Sequence, residues 1–194
     1  MGLTADGHKE RLLVALADAI RDKGLRDVQI SDVVARAGAS RRTFYRCFAD
    51  KDAAVIALAE RVFGQSVEYV ASAIDPARPP ADQCDSAIDA FFEYVAADPR
   101  LIYAIRTELP IIGVAGLRAQ RDSVLEFATL LIDRLNLSES ADPRIRRLRP
   151  DDPLPVMLIS GLDGALTQAI ERGTPIRELA PSAKALFRAA LALG

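Results

Sequence analysis

Apolar residues recur along this chain at spacings of three and four, and almost nowhere at spacings of two. That period belongs to amphipathic helices, not to strands. In residues 9–23, Leu12, Leu13, Leu16, Ala17 and Ile20 share one face, and Lys23-Gly24 reads as a helix end where glycine takes the left-handed cap. A short helix at 32–37 follows, with Ser31 as its N-cap, Asp32 complementing its dipole and Gly38 ending it. Ser40 caps the next, 41–47. Asp50 opens a long helix to Ile74, which the proline-rich linker Pro76 to Pro80 terminates. Helical patterns then cover about 82–97, 99–109, 114–136, 154–172 and 176–193. The predicted fold class is all-α.

Residues 30–51, ISDVVARAGASRRTFYRCFADK, place two short helices around a tight turn. Val33, Val34 and Ala37 form the inner face of the first, Gly38 the turn, and Phe44 with Phe48 the anchor of the second. Arg41, Arg42, Thr43, Tyr45 and Arg46 are left near the surface. A helix-turn-helix needs such a short packed helix, a turn that admits glycine, and a second helix with an exposed N-terminus that can enter a DNA groove.

Composition narrows the alternatives. Half the residues are apolar and 27% are charged, the balance of a soluble globular protein without disordered bias. The net charge of −2 argues against a general nucleic-acid coat. Residues 1–50 nevertheless hold nine Lys and Arg against seven Asp and Glu, leaving −4 for the remainder. Three of those cations crowd into Arg41, Arg42 and Arg46, so placement matters more than the sum. Cys47 and Cys84 lie far apart in helical patterns, which fits a reducing compartment. No apolar run is long enough for a membrane span and no signal core opens the chain, so the expected location is cytoplasmic, without membrane association.

Catalysis finds little support. His8 is the single histidine and sits in the N-terminal segment, no His/Cys cluster has metal-ligand spacing, and Ser160 in LISGLDG lacks a nucleophile elbow. Asp85 and Asp89, one helical turn apart, read as an acidic helix face. The loop Asp142 to Pro155 carries Arg144, Arg146, Arg147 and Arg149, balanced by Asp151 and Asp152, and reads as solvated. No metal, cofactor or enzymatic activity is expected.

The run Ala37-Gly38-Ala39-Ser40, Arg41-Arg42, Thr43-Phe44-Tyr45-Arg46-Cys47-Phe48, Ala49-Asp50-Lys51 resembles the DNA-binding signature of TetR-type (tetracycline-repressor-like) regulators, as does the upstream Ala19 to Gly24. The resemblance is specific over residues 9–60 and beyond them rests on helix count and length. It implies an N-terminal three-helix DNA-binding domain at 1–50 and a C-terminal helical bundle for ligand binding and dimerisation at 51–194. Carried over by position, it places Ser40, Arg41, Arg42 and Thr43 at bases or phosphates, with Arg46 on the same helix. Tyr45 and Lys51 would grip phosphates, and Ser31 would meet one at a helix N-terminus. Arg41 or Arg42 suits the bidentate edge of guanine. Cys47 departs from the polar residue of many relatives, which puts a backbone contact there in doubt.

Two further sets of residues bear on the C-terminal part. Gly161, Gly164 and Ala165, with Leu186 and Ala190, give the last two helices close-approach faces, which the resemblance assigns to a four-helix homodimer interface. Phe63, Phe91, Tyr94, Tyr103, Phe127 and Met157 are candidates to line an apolar pocket, with Arg106 and Gln168 as polar groups and Glu108 beside them. The expected function is a homodimeric repressor that binds a palindromic double-stranded operator and leaves it when a small, largely apolar effector of unknown identity binds. The alternative is a helical ligand-binding or interaction protein whose helix-turn-helix no longer binds DNA.

Overall fold

The computed structural model describes residues 5–137 and 147–193. Among these every regular element is helical: α1 Ala5–Lys23, α2 Ile30–Ala37, α3 Arg41–Cys47, α4 Lys51–Ser72, α5 Pro80–Ala97, α6 Pro99–Glu108, α7 Val114–Leu137, α8 Leu154–Arg172 and α9 Ala180–Leu191. Short 3-10 turns occupy Leu109–Ile112 and Ile176–Leu179. Among the described residues no helix is long and apolar enough to cross a membrane. Arg144 and Arg146 lie outside the described residues, while Arg149 pairs with Asp151 at 3.0 Å in the open, as a solvated loop requires.

The described residues form two compact units, one drawn from Met1–Val62 with Arg100–Gln120, the other from Phe63–Pro99 with Arg121–Gly194. The sequence division at 50/51 falls at the start of α4, which continues in the first unit as far as Val62.

In the first unit α1 packs on α2 and α3. Leu12, Leu16 and Ile20 of α1, Val33 of α2 and Phe44 of α3 are all buried, with Val55 and Leu58 from α4. Leu101, Ile105 and Leu109 are buried as well. These are the stripes that the spacing of three and four selected, and burying them drives the assembly of helices too short to persist alone.

Two local details differ from expectation. The helix α1 begins at Ala5, so His8 lies within it. The N-cap of α2 is Gln29, not Ser31: the Gln29 N–H donates to Asp32 Oδ2 at 2.8 Å, and Ser31 sits in the first turn. Asp32 also pairs with Lys23 at 2.8 Å, and these two contacts hold its carboxyl below the usual range. Gly116 lies in the first turn of α7. A Cβ there would lie 1.8 Å from the Leu109 carbonyl oxygen, so glycine permits a backbone-on-backbone corner.

In the second unit α5 packs on α9 and on the 3-10 turn Ile176–Leu179, which also receives α8. Phe92, Leu166, Phe187 and Leu191 are buried at its centre. Each carboxylate of the Asp85–Asp89 pair faces a cation from α9. The Arg188 guanidinium donates to both oxygens of Asp85 at 2.8 and 2.9 Å, and Lys184 reaches Asp89 at 2.6 Å. The acidic face is thus part of a helix–helix joint. Burial pushes the neighbouring Cys84 thiol up to about 12, so it is inert at neutral pH.

Candidate nucleic-acid interface

The turn between α2 and α3 is built by three residues. Gly38 has φ 56° and ψ 41°, the left-handed conformation that glycine adopts cheaply. In the same cap the Ala39 N–H bonds the Val34 carbonyl at 2.9 Å. Ser40 then caps α3, its Oγ accepting from the Thr43 N–H at 3.1 Å and lying 3.0 Å from Thr43 Oγ1. Both hydroxyls are therefore engaged locally, Ser40 exposed and Thr43 half-buried.

Phe44 anchors α3 from beneath, 1% exposed, with its ring 5.5 Å from that of Phe48. The opposite face carries Arg41, Arg42, Tyr45 and Arg46, all exposed. Tyr45 lies edge-on to Phe44 at 5.7 Å, so its ring is steadied while the residue stays 55% exposed. Among the described residues, no carboxylate pairs with Arg41, Arg42 or Arg46. Elsewhere in the unit, cations are paired: Arg21 with Asp18, Lys23 with Asp32, Arg36 with Asp22 and Arg61 with Glu10.

Residues 12–58 match the sequence model described as bacterial regulatory proteins, tetR family. The match spans most of α1, both helices of the turn and the start of α4. An HTH-type transcriptional regulator named YvdT, from Bacillus subtilis (strain 168), is 36% identical over 64 residues, a stretch spanning 33% of each chain. The fold extends further than that identity. The fatty acid degradation regulator FadR of Bacillus halodurans superposes with a TM-score of 0.73 at 18% identity, over 94% of both chains. FadR from Bacillus subtilis, solved in complex with stearoyl-CoA, gives a TM-score of 0.75 at 19% identity, over 91% of this chain and 96% of that one.

Within this unit the structure brings Arg41, Arg42, Tyr45 and Arg46 to one side of α3, with Ser40 at its N-cap and Thr43 in its first turn, and leaves Lys51 and Ser31 elsewhere. Lys51 does not extend outwards. Its ammonium is partly buried and donates to the carbonyls of Leu25 at 3.1 Å and Val28 at 3.0 Å. Ser31 is half-buried, its Oγ 3.5 Å from Gln29 Oε1. Cys47 is half-exposed on α3. The sequence reading missed Arg11, whose guanidinium donates to the Ala37 carbonyl and, at 3.3 Å, to that of Gly38. The available signal was a cation one helix upstream of the orphan carbonyls that every helix C-terminus leaves.

The other anticipated residues divide more sharply. In the second unit Phe63, Phe91 and Phe127 are buried, with Phe91 and Phe127 edge-to-face at 5.7 Å, and Tyr94 packs against Tyr69 at 5.8 Å. Met157 and Gln168 are not with them. Met157 is 67% exposed and Gln168 is exposed, on the stripe of α8 that also presents Gly161, Gly164 and Ala165. The helix is apolar on more than one face, and periodicity does not say which one turns inward. Leu186 of α9 is 53% exposed and Ala190 half-buried.

Tyr103 and Arg106 belong to the first unit. Burial pulls the Arg106 guanidinium down to about 10, leaving it charged at neutral pH. Glu108 pairs with Arg26, whose Nε donates to its two oxygens at 2.8 and 3.0 Å, so it serves as a structural partner within the unit.

Proposed function

We propose that the chain is a sequence-specific DNA-binding transcriptional regulator that reads the major groove with α3. The observation carrying this reading is the contrast on α3 itself. A rigidly capped and anchored helix holds three arginines and a tyrosine outwards, with no carboxylate among the described residues to neutralise them. Arginine forks at that position suit guanine edges and phosphates, and Tyr45 suits a phosphate. The tetR-family match over residues 12–58 supports the same assignment.

The protein acts as a homodimer on a palindrome, with half-sites about 34–36 Å apart or a multiple of it. Support comes from the stripe of α8 and the exposed Leu186 of α9, apolar surface that a second copy would bury. An effector, small and largely apolar, releases the repressor from its operator. The aromatic groups Phe63, Phe91 and Phe127 favour such a ligand, and a fold neighbour was solved with stearoyl-CoA. The helix α4 follows α3 directly in the chain and, like α7, runs covalently from one unit into the other; its place next to α3 makes it the element that carries the effector's differential affinity to the DNA-reading end.

The test is a fluorescence titration of the full chain against duplexes from the DNA upstream of its own gene. Saturable binding with one preferred duplex supports the reading. Binding that is indifferent to sequence, or that survives replacement of Arg41 and Arg42 by alanine unchanged, refutes it.

A further inference from the structure

Two cations of the first unit bond its own backbone, and they meet the two ends of the same helix. Lys51, on the first turn of α4, donates to the Leu25 and Val28 carbonyls, which lie in the connection just before α2. Arg11 of α1 donates to the Ala37 and Gly38 carbonyls, where α2 ends and the turn to α3 begins. Among the described residues no backbone N–H outside the helices reaches any of these four oxygens. A cation on the first turn of a helix also faces the positive end of its dipole, so Lys51 is poorly placed unless something compensates. The two carbonyls do so, and Asp50 and Asp52 flank it.

We propose that Lys51 and Arg11 are positioning residues for DNA reading. Together they clamp α2 at entry and exit and thereby set the pose of the turn and α3, and they are not phosphate contacts. The inference rests on the DNA-binding reading above. A Lys51 ammonium has three N–H bonds, two of them committed to carbonyls, and withdrawing it to a phosphate would orphan both acceptors in a partly buried place. Arg11 satisfies carbonyls that the helix end leaves without partners, with the favourable sign for a helix C-terminus.

A salt titration separates positioning from phosphate contact. Operator affinity of the full chain is measured across a range of salt concentrations for the parent, Lys51→Met and Arg11→Met. Amide hydrogen exchange of residues 30–47 is followed in the free proteins. A lost phosphate contact flattens the slope of log affinity against log salt by about 0.9. A lost clamp leaves the slope unchanged, lowers affinity about tenfold at every salt concentration, and speeds exchange across α2 and the turn. That second pattern is expected for both variants. A slope reduced by about one unit, or parental affinity with parental exchange, overturns the proposal. Arg11 is exposed, so Arg11→Met carries the test even if Lys51→Met is too unstable to assay. A parent that binds no duplex refutes the DNA-binding reading alone, and the exchange measurement still decides whether the clamp exists.

Discussion

The outward faces of α3 and α8 are both exposed, yet they ask for opposite company. The face of α3 presents Arg41, Arg42, Arg46 and Tyr45. Water solvates these groups well, so the face costs the free protein little, and what it lacks is a counter-charge. The face of α8 presents Met157, Gly161, Gly164 and Ala165, and α9 adds Leu186. Water solvates this surface poorly, and what it lacks is cover. A Cβ added at Gly161 or Gly164 meets nothing of its own chain within 4 Å. The smallness of that stripe therefore has no use inside the chain as described, whereas the smallness of Gly38 and Gly116 does. Exposure alone does not assign a role; the chemistry left unsatisfied by exposure does.

The largest expected effect comes from stripping α3. Replacing Arg41 and Arg42 together by alanine should weaken operator binding by about a hundredfold or more, since each good base contact is worth about 1–3 kcal/mol. Circular dichroism should show the fold intact, because neither side chain is paired in the described structure. Unaltered affinity would remove the distinction between the two faces.

Next in size is Gly164→Leu. In the lone chain it should be accommodated and even favoured, since glycine costs about 1 kcal/mol relative to better helix formers. In a dimer it would wedge the helices apart, and sedimentation equilibrium should show association weakened by overpacking of about 1–3 kcal/mol. A variant that is stabler and equally dimeric would mean that α8 faces solvent in the assembly.

Ser40→Ala removes the α3 cap, which costs about 1 kcal/mol. A small drop in melting temperature is expected, with operator affinity lowered because the N-terminal turn of α3 frays.

The smallest effect concerns the two thiols. Cys47, half-exposed on α3, should react with a disulfide reagent near neutral pH while Cys84 stays protected. The Cys84 thiol is raised in the folded chain to about 12, so its contribution to stability is complete below the ordinary thiol value and is lost as pH climbs through that value towards about 12. Urea midpoints against pH, compared with those of Cys84→Ala, should diverge only on the alkaline side. Divergence on the acid side would contradict the burial of this group.

Much of the fold was legible because helices declare themselves locally. The spacing of Leu12, Leu16 and Ile20 and the stop signals at Gly24 and Gly38 are written within a few residues of where they act. The α3 face was legible for the same reason. The fates of Lys51 and Glu108 were not, because their partners lie 26 and 82 positions away, and a lone charge carries no mark of which distant group will meet it. Met157 and Gln168 failed differently. Their helix is apolar around much of its circumference, so periodicity did not say which face turns inwards, and the two were set among the pocket candidates although they share the exposed stripe of Gly161, Gly164 and Ala165. Ser31 lost its cap role to Gln29 because a capping box is set by reciprocal hydrogen bonds, which residue preference alone only approximates.

The corner where the Leu109–Ile112 turn meets α7 bears on how this chain tolerates change. Ile111, Val114 and Leu117 are more than half exposed there, and their side chains are open to exchange. Gly116, among them, has the Leu109 carbonyl oxygen where any other residue would need its first carbon. A lineage or a library drifting through this segment can repaint its surface freely while one position stays locked, and the bend survives because the lock is in the backbone.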